Sequence, residues 1–600
     1  MKAARPFLLA ALFPAVLASP AKAAECRLGL LVDLPVTMDG LRPSVPVKVN
    51  GRDTAFWLDS GAFFSVMPAA KANELDLPLS AAPFGLRLIG VGGSATVQVA
   101  TIKSFGLVGQ ELKNVQFLVG GTDVGNGLVG RNILAIADTE FDLAHGSVKL
   151  FMPHNCKKYG MAYWAHGKPY FVAPLLTAAN RRDHVFRLHV TINGARIDAA
   201  FDTGAPTSLI SRKAAERAGI DLSGSGVTPV SRMGGLGRHV SKGWIAPVEN
   251  VSIGDEQILK THLAVIDGPI ADTPEAPDML LGADFMLAHH IYVARSQKRI
   301  YFTYSGGKPF LSGSSRMASA ASTAAVPLPP GTQRVKAVKN PDTEPETADE
   351  FARRGNALAA QRAFPKAIAD LTEAIRLEPG NAGYYSDRAN AYRRSGTAAR
   401  ARADLDKAIE LDPGNGELLR TRAFNRLRDG DKAGALADAE AAAKATHSAS
   451  LDIAGLAFLF ESLGQPQRAV SMLDDVIKLH RADARLGSLL NGRCWARALA
   501  NTELGEALKD CNKAIKRDGA KAAYLDSRGL VHFRRGDMAK ALADYDAALK
   551  LQPKLVWSLY VRGLIKIRQG DTAAGEADKA AATTLDPKIA KDANRYGIGA

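Results

Sequence analysis

The sequence is poor in what several function classes need. Among its twelve histidines there is no HExxH and no paired metal-ligand spacing, so a zinc hydrolase has no support. No GxSxG elbow marks a serine hydrolase. Four cysteines in 600 residues lack zinc spacing, which sets a zinc or thiol site aside. Beyond residue 25 no stretch reaches about 18 unbroken apolar residues, so no membrane helix is expected in the mature chain. The net charge is +15 and the pI near 9.5, yet basic residues are scattered. With no long Lys/Arg block and no nucleic-acid module, nucleic-acid binding is not expected. One GxGxxG occurs, Gly125 to Gly130, but it carries no capped helix pattern behind it, so a dinucleotide site is set aside.

What is present starts with export. Lys2 and Arg5 precede PFLLAALFPAVLA, and Ala21-Lys22-Ala23 puts small residues where a signal peptidase reads. Residues 1–23 are expected to be a signal peptide, with the protein periplasmic or secreted. Glu25 argues against lipid attachment at Cys26. Export makes the cysteines candidates for disulfides. Cys26 and Cys156 bracket the first domain and could tie its ends together. Cys494 and Cys511 are expected to bridge two antiparallel helices across a turn near Asn501 to Glu503.

Six hundred residues require several cores. Residues 28–304 read as short strands broken by Gly, Asn-Gly and Asp turns. Residues 306–345 are rich in Ser, Ala, Gly and Pro, and read as a flexible linker. From 346 to 600 the apolar spacing is helical and repeats. Pro379 and Pro413 are 34 residues apart, as are Pro553 and Pro587. Imperfect copies fall near His447, Arg481 and Gly519. This region resembles the tetratricopeptide repeat family, with about seven repeats. The resemblance implies an all-α solenoid whose concave groove docks a protein partner.

The strand-rich region holds a near duplication. LDSGAFFSVMP begins at Leu58 and FDTGAPTSLIS at Phe201. Asp-Ser/Thr-Gly is expected about 0.3 times by chance in such a chain, so one copy alone says little. The contexts also match. An Asn-Gly hairpin signal stands nine residues before each aspartate, at Asn50-Gly51 before Asp59 and Asn193-Gly194 before Asp202. A Gly-rich segment follows each, IGVGGSATVQV and MGGLGRHVSKGW. Two apolar residues and a glycine come next, ending at Gly130 and Gly282. A hairpin closes each copy, FDLAHGSVKLF and IYVARSQKRIYF.

Both copies resemble the retropepsin-like aspartic protease family, retroviral-type and pepsin-like alike. The expected fold is therefore multidomain: an all-β two-lobed acid protease barrel plus an all-α repeat solenoid. The lobes are expected at 24–160 and 161–305. The resemblance implies that Asp59 and Asp202 form a catalytic dyad sharing one proton, with Ser60, Gly61, Ala62, Thr203, Gly204 and Ala205 shaping the loops. Gly130 and Gly282 would support those loops from beneath. Gly90, Gly92 and Gly93, with Gly234 and Gly235, would lie in flaps closing over a peptide or protein substrate. No metal or cofactor is implied. Retroviral sequences carry an acid straight after Asp-Thr-Gly-Ala; here Phe63 and Pro206 stand there, which would deprive Arg131 of its usual partner. Neither flap has the tyrosine of pepsins. His289-His290 is expected on a strand or loop surface. The competing reading is a non-proteolytic peptide-binding or assembly module, its lobes inactive and the repeat groove its working surface. A third is pairing of each lobe with its twin in another molecule.

Overall fold

The computed structural model describes residues 26–91, 93–121, 126–166, 169–176, 186–233, 241–271, 273, 276–310, 316–317, 344–446, 452–481 and 485–599. The signal-peptide reading of residues 1–23, the linker residues 318–343, Gly92, Gly234 and Gly235 lie outside them.

Each Asn-Gly turn does what its residue types favour. Asn50 and Gly51 both take positive φ, as do Asn193 and Gly194. That geometry matches the twist of the strands it joins. Arg42–Val49 thus pairs antiparallel with Arg52–Leu58, and Arg187–Ile192 with Ala195–Phe201. From there the two sheets repeat one plan. Leu128–Val129 runs parallel to the end of Arg52–Leu58, and Met279–Leu281 runs parallel to Ala195–Phe201. Val66–Met67 and Leu209–Ser211 follow the loops and pair antiparallel with these short strands. Long hairpins complete the sheets, Gly93–Leu107 with Gln110–Gly120 and Ser241–Ile253 with Glu256–Ile266. One extensive hydrophobic core runs through both lobes, from Phe56, Phe105 and Phe117 to Phe201, Phe285 and Phe302.

A six-stranded sheet joins the lobes. Its order is 27–35, 147–154, 138–142, 289–294, 299–304 and 171–174, so the closing hairpins of the two copies meet at Phe141 and Ile291. The disulfide Cys26–Cys156 ties the outer strand to the end of its neighbour.

The two histidines expected at the surface are instead buried in this sheet's second closing hairpin, 0 % and 2 % exposed. His290 stacks on Trp164 at 3.9 Å and lies 3.3 Å from Glu140. His289 bonds the Phe285 carbonyl at 2.7 Å and Glu256 at 3.0 Å. The partners come from distant segments, which is why the sequence pattern alone misplaced them. Burial alone would raise Glu140, but His290 and Lys149 beside it, with the Tyr163 hydroxyl, hold its carboxyl below the usual range.

The helical region is built of antiparallel pairs, from Ala348–Ala360 with Phe364–Leu377 to Val556–Arg568 with Thr572–Leu585. Seven pairs are present among the described residues. Cys494 and Cys511 form a disulfide between the two helices of the fifth, Leu486–Ala500 and Leu504–Asp518. The array is not held by a linker alone. Its first helix starts in a capping box, Thr347 with Glu350. It then buries Ala357 and Ala360 in the core of the lobes. Gln361 donates to the Leu287 carbonyl at 2.7 Å, and Arg353 lies against Gly146. These contacts dock the array on the lobes in addition to the linker expected over residues 306–345.

Candidate active site

Asp59 and Asp202 each follow a strand end that is pinned from the side. The Asp59 amide donates to the Val129 carbonyl and the Asp202 amide to the Leu281 carbonyl, both at 3.0 Å. The chain must then turn sharply. In each turn the amides two and three residues on point back at the carboxylate. Asp59 Oδ1 accepts from Gly61 N at 2.9 Å and Ala62 N at 2.8 Å. Asp202 Oδ1 accepts from Gly204 N at 2.9 Å and Ala205 N at 3.2 Å.

The two turns face each other. A Cβ on Gly61 would lie 2.5 Å from Asp202 Cγ, and one on Gly204 would lie 2.5 Å from Asp59 Cγ. Only glycine permits this approach. The hydroxyl residues cross over between lobes. Thr203 Oγ1 accepts from Ser60 N at 2.9 Å and donates to the Leu58 carbonyl at 2.7 Å. Ser60 Oγ accepts from Thr203 N and donates to the Phe201 carbonyl, both at 3.1 Å. All four groups are buried, so each bond replaces a water that cannot enter.

Below each turn, Gly130 and Gly282 sit where a Cβ would strike the loop backbone, 2.5 Å from Phe64 O and 2.7 Å from Ala205 O. A further pair of residues escaped the sequence reading. Ser65 accepts from Gly130 N at 3.1 Å and bonds Asn132 at 2.9 Å. Ser208 accepts from Gly282 N at 2.9 Å and donates to Asp284 at 2.7 Å. The signal was available: a serine six residues after each aspartate, and Asn or Asp two residues after each supporting glycine.

Both lobes match the aspartyl protease family model. The matched segments are residues 45–133 and 188–285, with tetratricopeptide repeat models matching 353–416 and 522–555. No curated protein matches the chain. Among solved structures, a tetratricopeptide repeat protein from Parabacteroides merdae is 18 % identical, covering 42 % of this chain and 98 % of that one, with a TM-score of 0.32. The C-terminal part of a repeat protein from Cytophaga hutchinsonii is 14 % identical, covering 41 % and 98 %, with a TM-score of 0.29.

The carboxyls bond one another, and their environments differ. Burial raises Asp202 first, and the neighbouring Asp59 charge raises it further, to about 8. Burial also raises Asp59, but the Ala62 amide, the Asp202 hydroxyl, the Gly61 amide and the Arg131 guanidinium all oppose it. Both carboxyls are thus pushed above the ordinary range, and the two, too close for both to ionise freely, titrate as one pair that shares a proton. Arg131 is not stranded by the missing acid: it is buried, donates toward Gly61 O at 3.5 Å, and lies 5.7 Å from the Phe63 ring centroid.

Gly90 and Gly93 are paired at the tip of the hairpin Arg87–Gly90 with Gly93–Leu107. Between them Val91 packs against the second lobe's buried cluster of Ala200, Ala205, Ile266, Ile270 and Leu280. The hairpin thus crosses from one lobe to the other. Phe63, Phe64 and Ile89 remain exposed around the same region.

In the helical array the sequence reading missed a ladder of buried ion pairs. Arg354 grips Asp370 bidentately at 2.7 and 2.9 Å, and the same fork joins Arg388 to Asp404 and Arg422 to Asp438. It recurs at Arg493, Arg528 and Arg562. Each fork ties the two helices of one pair. The 34-residue recurrence of Arg at 354, 388 and 422 was the readable signal. Among the described residues no helix is long and apolar enough to cross a membrane.

Proposed function

We propose that this protein is an exported aspartic endopeptidase with its two lobes paired in one chain, residues 24–160 and 161–305, and a repeat array that binds a protein partner. The observation that carries the reading is the mutual approach of Asp59 and Asp202, each inside a turn that leaves room for the other only because Gly61 and Gly204 lack side chains. In this reading Asp59, ionised, takes a proton from a water lying between the carboxyls. Asp202, protonated, donates to the carbonyl of the scissile peptide bond. The water oxygen adds to the carbonyl carbon. Collapse of the resulting gem-diol returns one hydroxyl proton to Asp202 and expels the amine, which takes up the proton Asp59 received. The amides at 61, 62, 204 and 205 hold the carboxylates without becoming proton donors to substrate. The hairpin bearing Val91 would lie over an extended peptide and exclude water. Export is supported by the two disulfides.

The test is cleavage of an unfolded protein substrate from pH 3 to 8 by the wild type, Asp59→Asn and Asp202→Asn, read by mass spectrometry with and without pepstatin. Loss of cutting in both variants supports one shared site. Loss in only one refutes the intramolecular dyad, and no cutting by the wild type at any pH refutes the protease reading.

A further inference from the structure

The seventh helix pair is followed by a short helix, Ile589–Arg595, and then Tyr596 to Gly599. A segment that only capped the last pair would touch that pair alone. This one reaches much further back. The Tyr596 hydroxyl donates to the Glu461 carbonyl at 2.7 Å, on the first helix of the fourth pair, 135 residues upstream. The Arg595 side chain lies over Gly464, at the end of the same helix. Arg534, closing the first helix of the sixth pair, donates to the carbonyls of both Tyr596 and Gly597 and also to Ala498 O of the fifth. The Tyr596 ring lies 6.4 Å from Trp557 of the seventh pair, and Trp557 meets Trp495 of the fifth at 5.4 Å. Ile589, Ala593 and Ile598 are at most 1 % exposed.

The short helix also packs on both helices of the seventh pair; every other partner named belongs to the first helix of a pair or, as Gly464 does, follows directly on its end. The first helices of successive pairs pack on one another, as Leu486–Ala500 does on Ala522–Arg534 and that helix on Val556–Arg568, so they form the concave, groove side of the stack. The segment therefore lies across the groove, spanning the fourth to the seventh pair. The recognition is chemical as well as apolar. One main-chain acceptor takes an aromatic hydroxyl, one guanidinium takes two successive carbonyls, and a buried site takes an aliphatic side chain two residues later.

We propose that this half of the groove is a binding site for a partner-protein segment of the same chemistry, a short helix ending in Tyr-Gly-aliphatic, and that residues 589–599 occupy it until such a segment displaces them. The inference rests on the reading of the array as a partner-binding module, but it is independent of the dyad and does not stand or fall with proteolysis.

A fluorescent peptide of residues 586–600 is the probe, read by anisotropy against three proteins: the full chain, the chain ended at Lys588, and full-chain Tyr596→Ala. Circular dichroism and melting check that each is folded. The expected result is binding to the shortened chain at least tenfold tighter than to the full chain, an intermediate gain for Tyr596→Ala, and loss when the peptide tyrosine is replaced by alanine. Adding Arg534→Ala to the shortened chain should weaken binding again. Equal binding to the full and shortened chains overturns the proposal, as does a folded shortened chain that ignores the peptide. If the shortened chain does not fold, failure of Tyr596→Ala to bind the peptide overturns it too.

Discussion

Thr203→Val removes one hydroxyl and keeps the side chain's shape, so it isolates the crossed hydrogen bonds between the lobes. The hydroxyl serves two backbone groups, accepting from Ser60 N at 2.9 Å and donating to Leu58 O at 2.7 Å. Both are buried, and no water replaces the lost partner. Leaving a buried backbone group unpaired costs about 1–3 kcal/mol, so the two together should cost about 2–6 kcal/mol. Most of this is local to the loops. It should therefore register in hydrogen exchange at the Ser60 amide, where about 3 kcal/mol means roughly a hundredfold faster exchange. Ser60→Ala should give a similar loss through Thr203 N and Phe201 O. The double variant should cost less than the sum, because the bonds share one interface. Strict additivity, or exchange at Ser60 unchanged in Thr203→Val, would refute the idea that these hydroxyls hold the lobes in register.

Other perturbations test neighbouring parts of the argument. Gly61→Ala or Gly204→Ala places a methyl 2.5 Å from the opposite carboxyl carbon and should abolish cleavage while the array melts unchanged. Proteolysis needs Asp202 protonated, so activity should fall as pH rises through about 8, seen in a pH profile of kcat/KM. Because its folded pKa lies above the ordinary value, the same group stabilises the fold most in acid and progressively less up to about pH 8. Glu461 behaves alike in the array: burial pushes it up to about 7, opposed by the Trp495 indole. The array should thus unfold at lower denaturant at pH 8 than at pH 5, and Glu461→Gln should flatten that difference. Reducing Cys494–Cys511, which closes a 17-residue loop, should cost the array about 3 kcal/mol in urea unfolding.

The parts of this protein that were legible in the sequence are local ones. The Asn-Gly hairpins depend on residues a few positions apart, and the turn chemistry of Asn and Gly forces them, whereas the aspartate turns and supporting glycines were read from their duplication and from the family resemblance. The 34-residue helical period is local in the same sense. The interlobe sheet was not legible, since it is assembled from the edges of both copies. Its buried histidines read as polar residues in a strand, and only tertiary contact supplies Glu140, Glu256 and Trp164. Arg131 shows the same limit. Counting motif residues left it without a partner, whereas the phenyl ring at position 63, where the acid was expected, gives it a surface to lie against.

The docked first helix changes what the helical array can contribute. A module on a long flexible linker raises the local concentration of whatever it binds but gives that ligand no preferred direction. Here Ala357 and Ala360 are part of the core that Phe285 and Leu287 also build, directly behind the supporting Gly282 turn. The array and the second lobe therefore share buried surface, and each rotation of one against the other would expose apolar groups and break the Gln361 bond to Leu287. A partner held in the groove would be presented at a fixed angle to the lobes. The same contact gives strain a route from the array to the loop that carries Asp202, since Gly282 touches the Ala205 carbonyl and Leu281 accepts the Asp202 amide. A polar substitution at Ala357 should accordingly weaken both modules at once, which a mere tether would not do.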